Sequence, residues 1–231
     1  MTYQLAVLDM AGTTVFDGDA VNDCLRQALR EVTQFDPSRD RVNQVMGLPK
    51  REAITRLLHV QHADGPDTNL VGQTLREFER RMLQYYRQSP LVRSVEGATS
   101  VFRELRDRGI KVGLDTGFSR RIADAVMDRL GWTSGEVIDA CVASDEVAAG
   151  RPAPDMIYRL MELTGVARAS AVIKVGDTPA DLLQGAAAGC GAVIGVTSGS
   201  HTAEELKPYP HTALIESIRD LPRFISANKI D

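Results

Sequence analysis

Asp9 follows the apolar run Leu5-Ala6-Val7-Leu8 and precedes the turn Ala11-Gly12-Thr13-Thr14. A short, continuous apolar run of this kind reads as a strand buried on both faces. In an open parallel sheet, ligands bind beyond the carboxyl ends of the strands. Asp9 would then stand at the rim of a crevice, with the N–H groups of Gly12 and Thr13 turned toward an anion. Aspartate is also an ordinary turn residue, so this stretch alone supports a plain strand end equally well. Later segments supply partners. Lys111-Val112-Gly113-Leu114 runs into Asp115-Thr116-Gly117, where Thr116 offers a hydroxyl and Gly117 a closely approaching backbone, although a Thr-Gly turn is commonplace. The run Ala171-Val172-Ile173-Lys174-Val175 leads into Gly176-Asp177-Thr178-Pro179-Ala180-Asp181. Its two aspartates, four residues apart at a helix start, also match ordinary N-terminal capping. Taken together, Asp9, Asp177 and Asp181 form a carboxylate cluster at neighbouring strand ends. Such a cluster is costly unless a hard cation neutralises it, and an oxygen donor set suits Mg2+. Arg151, in Gly150-Arg151-Pro152, is a fixed cation for a phosphoryl or phosphonyl group, or in isolation a surface arginine before a helix.

These residues need a scaffold that brings separate strand ends to one edge. From residue 95 onward the pattern alternates: helix 97–108, strand 111–114, helix 119–130, strand 138–142, helix 154–163, strand 171–175, helix 179–187, strand 191–196, and a strand–helix pair within 213–224. The alternation predicts an α/β fold with a doubly wound parallel sheet. Residues 17–93 differ. They are polar and read as helices: Asp19 or Asn22 caps a first one carrying Val21, Leu25, Ala28, Leu29 and Val32, and Val42, Val45 and Met46 suggest a short one stopped by Gly47 and Pro49. Ile54, Leu57 and Leu58 continue the pattern. After the turn Asp64-Gly65-Pro66-Asp67, a long helix carries Leu70 to Tyr85 and ends at Ser89-Pro90. The domain division is therefore residues 1–16 and 94–231 as the core and 17–93 as a helical insertion that leaves and re-enters near Asp9, where it should act as a lid.

Composition narrows the function. The chain is 43% hydrophobic and 25% charged, as ordinary globular proteins are, with a net charge of -4 and no basic stripe, which argues against nucleic acid and anionic membranes as partners. No apolar run approaches the roughly 18 residues of a membrane span. The first strand begins within a few residues of Met1, which predicts no signal peptide and a cytoplasmic location. Cys24, Cys141 and Cys190 have no ligand-like spacing and are expected as free thiols in small buried sites.

The ordered set Asp9–Thr13, Thr116, Arg151 and Asp177–Asp181 resembles the four motifs of the haloacid dehalogenase superfamily, over the whole chain, with residues 17–93 matching that superfamily's cap domain and the rest its Rossmann-like core. The resemblance implies that Asp9 is the nucleophile, that Thr116 with Gly117, Gly12 and Arg151 binds the transferring group, and that Mg2+ is held by Asp9, Asp177, Asp181 and the Ala11 carbonyl. Two departures sharpen it. The superfamily's phosphatases carry a second aspartate two residues after the nucleophile, to protonate the leaving oxygen; this chain has Ala11. Their third motif carries lysine where this chain has Arg151. Both departures resemble the phosphonoacetaldehyde hydrolase (phosphonatase) subgroup, in which a cap lysine forms a Schiff base with the substrate aldehyde in a segment similar to Met46-Gly47-Leu48-Pro49-Lys50. Lys50 stands in that place, with Met46 beside the substrate; a solvated lysine at a helix start is the plain alternative.

The joint pattern has a chemical reason. A carboxylic acid can protonate a departing oxygen but cannot rescue a departing carbanion, whereas an iminium one bond away accepts the electrons as an enamine. The lysine must be neutral to attack, so its pKa must fall from about 10.4. The resemblance has gaps: Ala53 stands where the subgroup has a histidine, Asp19 where it has a cysteine, and His59 and His62 lie further along. The expectation is a Mg2+-dependent hydrolase of a small phosphonate aldehyde, with a phosphate-ester hydrolase as the alternative. A homodimer through the cap follows from the subgroup resemblance.

Overall fold

The computed structural model describes residues 3–59 and 65–227; His62 and Asp64 of the expected turn lie outside them. Six strands form one parallel sheet: β1 (Leu5–Asp9), β2 (Lys111–Thr116), β3 (Ala140–Ala143), β4 (Val172–Gly176), β5 (Ala192–Val196) and β6 (Ala213–Ile215), in the order β3-β2-β1-β4-β5-β6. Every residue of β1, β4 and β5 is buried, as continuous apolar runs require when helices cover both faces. The order runs outward from β1 in both directions, so β1 and β4 flank the switch point where doubly wound sheets open a ligand crevice. Register aligns the ends: Asp9 pairs with Asp115, and Leu8 with both Leu114 and Val175. Asp9, Thr116 and the Gly176-Asp177 turn therefore emerge at one edge.

Six helices accompany the strands after β1: α5 (Ala98–Asp107), α6 (Arg120–Leu130), α7 (Asp155–Thr164), α8 (Pro179–Ala188), α9 (Ala203–Leu206) and α10 (Leu221–Ala227). The short α9 has no counterpart in the expected pattern, being one turn with little periodicity; it is held by a Thr202–Glu205 capping box. The third strand begins two residues later than expected, because Ile138 joins an isolated bridge with Ser134 instead of the sheet.

Among the described residues, four helices separate β1 from α5: α1 (Ala20–Thr33), α2 (Arg39–Asn43), α3 (Lys50–His59) and α4 (Thr68–Gln88). Their apolar faces meet one another, α1 along α4, and the same buried cluster runs from Leu25 and Phe78 to Phe118 of the core. Tyr86 of α4 meets the Phe118 ring edge-on at 5.9 Å. The first cap differs from expectation. Asp19 occupies the N-cap position with φ 70° but makes no capping bond; its carboxylate grips Arg39, and Asp17 Oδ1 accepts from Val21 N at 3.2 Å instead. Asn22 sits buried within α1 and donates to Arg39 O and Asn43 Oδ1. The outgoing and returning connections run side by side, Phe16 N donating to Arg93 O and Val95 N to Thr14 O.

The α2–α3 connection is wedged among the strand-end loops. A Cβ on Gly47 (φ +81°) would lie 2.1 Å from Thr178 Oγ1, and one on Gly117 would lie 2.8 Å from Leu48 O. Residues without side chains let these backbones meet. Gly117→Ala should therefore cost about 1–3 kcal/mol by overpacking, read as a lowered denaturant midpoint, together with faster proteolysis of the 44–50 segment; an unchanged midpoint and cleavage rate would show that the wedge is loose.

Candidate active site

The strand ends converge on a buried ion network. Arg151, 1% exposed, comes from the loop after β3 and reaches under the cavity floor. Its Nη1 lies 2.6 Å from Asp9 Oδ1 and 3.0 Å from Asp181 Oδ1, and its Nη2 lies 2.7 Å from Asp115 Oδ1. Lys174, fully buried in β4, bridges Asp115 and Asp181 at 2.5 and 3.0 Å. Asp177 is held differently: Ser200 donates its N–H and hydroxyl to Oδ2 at 2.7 and 2.8 Å, and Thr13 donates to Oδ1 at 3.2 Å. Thr178 caps α8 and donates its hydroxyl to Asp181 Oδ2.

Charge decides what this network lacks. Asp9, Asp115, Asp177 and Asp181 face two cations, Arg151 and Lys174, so the ionised set carries two negative charges in excess, all buried. The carboxyl groups respond accordingly. Burial raises Asp9 well above the ordinary range, with Arg151 pulling it down and Asp181 and Asp177 pushing it further up. Burial and Asp181 raise Asp177, against the hydrogen bonds from Ser200. Burial works to raise Asp115 too, but Arg151 and Lys174 outweigh it and hold that group low. Oxygens of Asp9, Asp177 and Asp181 lie within 4.8 Å of one another, and Asp181 Oδ1 has no aligned hydrogen-bond donor. An all-oxygen donor set and a deficit of two positive charges fit a hard divalent cation.

Above this floor lies a cavity of about 330 Å3, lined from the core by Asp9, Thr116 and Arg151 and from the helical segment by Asp17, Met46 and Lys50. Gly12, Ala11 and Gly117 line it as well. The expected role of the Gly12 and Thr13 amides needs correction: they already donate to Val15 O and Met10 O within the turn, so they do not face the cavity as free donors. Gly12 contributes by its lack of a side chain, since a Cβ there would meet Asp177 Oδ2 at 2.3 Å. Lys50 is 8% exposed, makes no ion pair among the described residues, and holds Nζ 5.5 Å from the Phe118 ring centre. Burial lowers its pKa to about 8, Asp9 opposing and Arg151 assisting. Asp17 is raised to about 7, chiefly by burial. None of the described histidines lines the cavity; His59 is exposed on α3, and His201 bonds Ser200 on its far side.

The haloacid dehalogenase-like hydrolase family model matches residues 6–196, a span that runs from before Asp9 to beyond Asp181. The chain belongs to this family. Among curated proteins, this family member is 29% identical over 192 residues to the phosphonoacetaldehyde hydrolase of Bacteroides fragilis, covering 79% of this chain and 73% of that one. It is 27% identical over 228 residues to that of Bacillus cereus, covering 94% and 86%. Among solved structures, a phosphonoacetaldehyde hydrolase-like protein from Oleispira antarctica superposes with a TM-score of 0.83 at 21% identity, over 98% of this chain and 92% of that one. A candidate phosphoglycolate phosphatase from Lactobacillus delbrueckii gives 0.80 at 18% identity, over 97% and 99%. These structural likenesses establish the shared fold.

The fold thus gathers Asp9, Lys50, Thr116 and Arg151 at one cavity and sets Asp177 and Asp181 beneath it. The sequence reading overlooked Asp115, Lys174, Ser200 and Asp17. Lys174 had a signal: a lysine in the middle of a buried strand must find carboxylate partners. Asp115 and Ser200 had none, because their roles depend on which loops meet. A divalent cation should raise the melting temperature, corresponding to about 2.7 kcal/mol at a hundredfold excess over Kd. Asp177→Asn should remove most of that shift in a thermal melt with Mg2+, and a full shift in the variant would exclude the carboxylate cluster as the metal site.

Proposed function

We propose that this family member is a Mg2+-dependent phosphonatase that hydrolyses the C–P bond of phosphonoacetaldehyde or a related phosphonate aldehyde. The observation that carries this reading is Lys50: a buried amine with no carboxylate partner among the described residues, its pKa lowered to about 8, opening onto the same cavity as Asp9. The names of the curated relatives and the absence of an acid at Ala11 support it.

In this mechanism the Lys50 amine condenses with the aldehyde, with loss of water, to give an iminium. Asp9 then attacks phosphorus opposite the C–P bond. That bond's electron pair passes into the iminium to give an enamine, and the phosphoryl group passes to the Asp9 carboxylate. Water hydrolyses the aspartyl phosphate, the proton released in that step goes to the enamine carbon and restores the iminium, and hydrolysis of that iminium releases the aldehyde product and regenerates Lys50. Thr116, Gly117 and Arg151 hold the phosphonyl oxygens, and Gly12 and Met46 shape the space around them. Asp9, Asp177, Asp181 and the Ala11 carbonyl would hold Mg2+, which supplies the charge that lets a carboxylate approach a phosphonate dianion. In the same reading residues 17–93 are a cap domain over a core of residues 1–16 and 94–231, the enzyme is cytoplasmic, and copies pair as a homodimer through the cap.

A phosphate-ester hydrolase is the competing reading. It needs an acid beside the leaving oxygen, and Asp19, a candidate for that part, is tied to Arg39 by two hydrogen bonds. Borohydride added with phosphonoacetaldehyde should trap one adduct on Lys50, located by peptide mass spectrometry. The trapping rate should rise as pH climbs from acid values into the range of about 7 to about 8, because only the neutral amine attacks. Lys50→Arg keeps the charge without an accessible neutral amine and should lose C–P cleavage by several orders of magnitude. An unlabelled Lys50 together with rapid alkyl phosphate hydrolysis would establish the competing reading. Ala11→Asp tests the same logic from the other side: it should leave phosphonate turnover no faster while raising weak alkyl phosphatase activity, measured as phosphate release.

A further inference from the structure

Imine chemistry needs a second ionisable group. When an amine adds to an aldehyde, the N–C bond forms, the carbonyl π pair moves to oxygen, and the nitrogen proton passes to that oxygen. The resulting carbinolamine hydroxyl leaves only if it is protonated, and hydrolysis of the final iminium needs a base for the attacking water. Resting on the Lys50 reading above, the question is which residue does this. Position 11 is alanine, and no described histidine lines the cavity. The other ionisable groups there are committed: Asp9 to Arg151, and Asp19 to Arg39.

One remains. We propose that Asp17 is the proton-transfer residue for Lys50: its carboxyl gives up the proton that expels the carbinolamine hydroxyl as water, and the resulting carboxylate takes a proton from the water that later hydrolyses the product iminium. The two transfers cancel over a turnover. Asp17 lines the cavity with Lys50, has no ion-pair partner among the described residues, and is positioned by the bond from Val21 N to its Oδ1 at the start of α1. Its charge is felt at Lys50 and that of Lys50 at Asp17. Asp177 and Asp19 also bear on it, and its own charge bears on Cys24 of α1 and on Tyr85 and Tyr86 of α4. The surroundings hold its acid form into the neutral range, where it ionises at about 7.

The test follows adduct formation in the full-length enzyme with Mg2+, quenched with borohydride at successive times and across pH. Wild-type trapping should peak between about 7 and about 8, falling at lower pH as Lys50 gains its proton and at higher pH as Asp17 loses its own. Asp17→Asn keeps an acceptor for Val21 N; it should slow trapping by about 100-fold or more and abolish the alkaline fall. Asp17→Glu should restore the alkaline fall with a displaced midpoint. Trapping within threefold of wild type in Asp17→Asn, or an alkaline fall that neither substitution moves, overturns the assignment of Asp17 while leaving Lys50 intact. If Asp17→Asn fails to fold in a melting curve, the displaced midpoint of Asp17→Glu decides. A wild-type enzyme that yields no adduct at any pH instead removes the Lys50 reading, and this one with it.

Discussion

Arg151 is the interaction on which the site depends. Its guanidinium, buried to 1%, spans carboxylates from three different strand ends, Asp9, Asp115 and the start of α8 at Asp181. Isolated, any of these buried charges would cost several kcal/mol. Joined, they lock the loop after β3 to β1, β2 and α8, so the sheet edge is set by electrostatics as much as by the ladder. The planar fork suits this work: two nitrogens serve three carboxylates at once, which a lysine point charge in the same place could not do. Lys174 completes the lattice from inside the sheet, and the remaining excess of negative charge leaves room for a divalent cation. A network with both cations fixed and the anions in surplus is suited to take up a metal ion.

The helical segment answers a different need. The floor offers carboxylates and a guanidinium, and α3 adds the amine of Lys50, the nucleophile in the proposed reaction. Lys50 reaches the cavity because Gly47-Leu48-Pro49 inserts among the loops after β2, β3 and β4, a fit that tolerates no Cβ at Gly47 or Gly117. The packing of α4 on α6 and of Tyr86 on Phe118 continues the core into the helices, and the Phe118 ring lies under the Lys50 amine. Apolar contact and chemistry are thus served by one ring.

Much of this is legible in the sequence. Apolar runs ending in Asp9, Thr116 and Asp177 predicted parallel strands whose ends meet, and the sheet order brings them together as expected. What stayed hidden were relations between loops. The amides of Gly12 and Thr13 were expected to face an anion, yet the turn from Met10 to Val15 consumes them. Asp19 or Asn22 is expected to cap α1, yet Arg39 draws the Asp19 carboxylate away, Asn22 bonds Arg39 and Asn43 from within the helix, and Asp17 accepts from Val21 N instead. Arg151 read in isolation as a surface residue, and its burial follows only from three partners distant in sequence. Local pattern shows where the chain turns; which groups a turn then satisfies depends on what arrives from elsewhere.

The enclosure around Lys50 also bears on selectivity between aldehydes. A lysine standing in water is an ammonium at neutral pH and ignores carbonyl compounds. Lys50 is brought down to about 8 chiefly by burial. The ease with which this amine loses its proton is therefore set by the walls of the cavity and not by the residue alone. On the proposed reading, the same walls that tune the amine also limit the size of the aldehyde that reaches it.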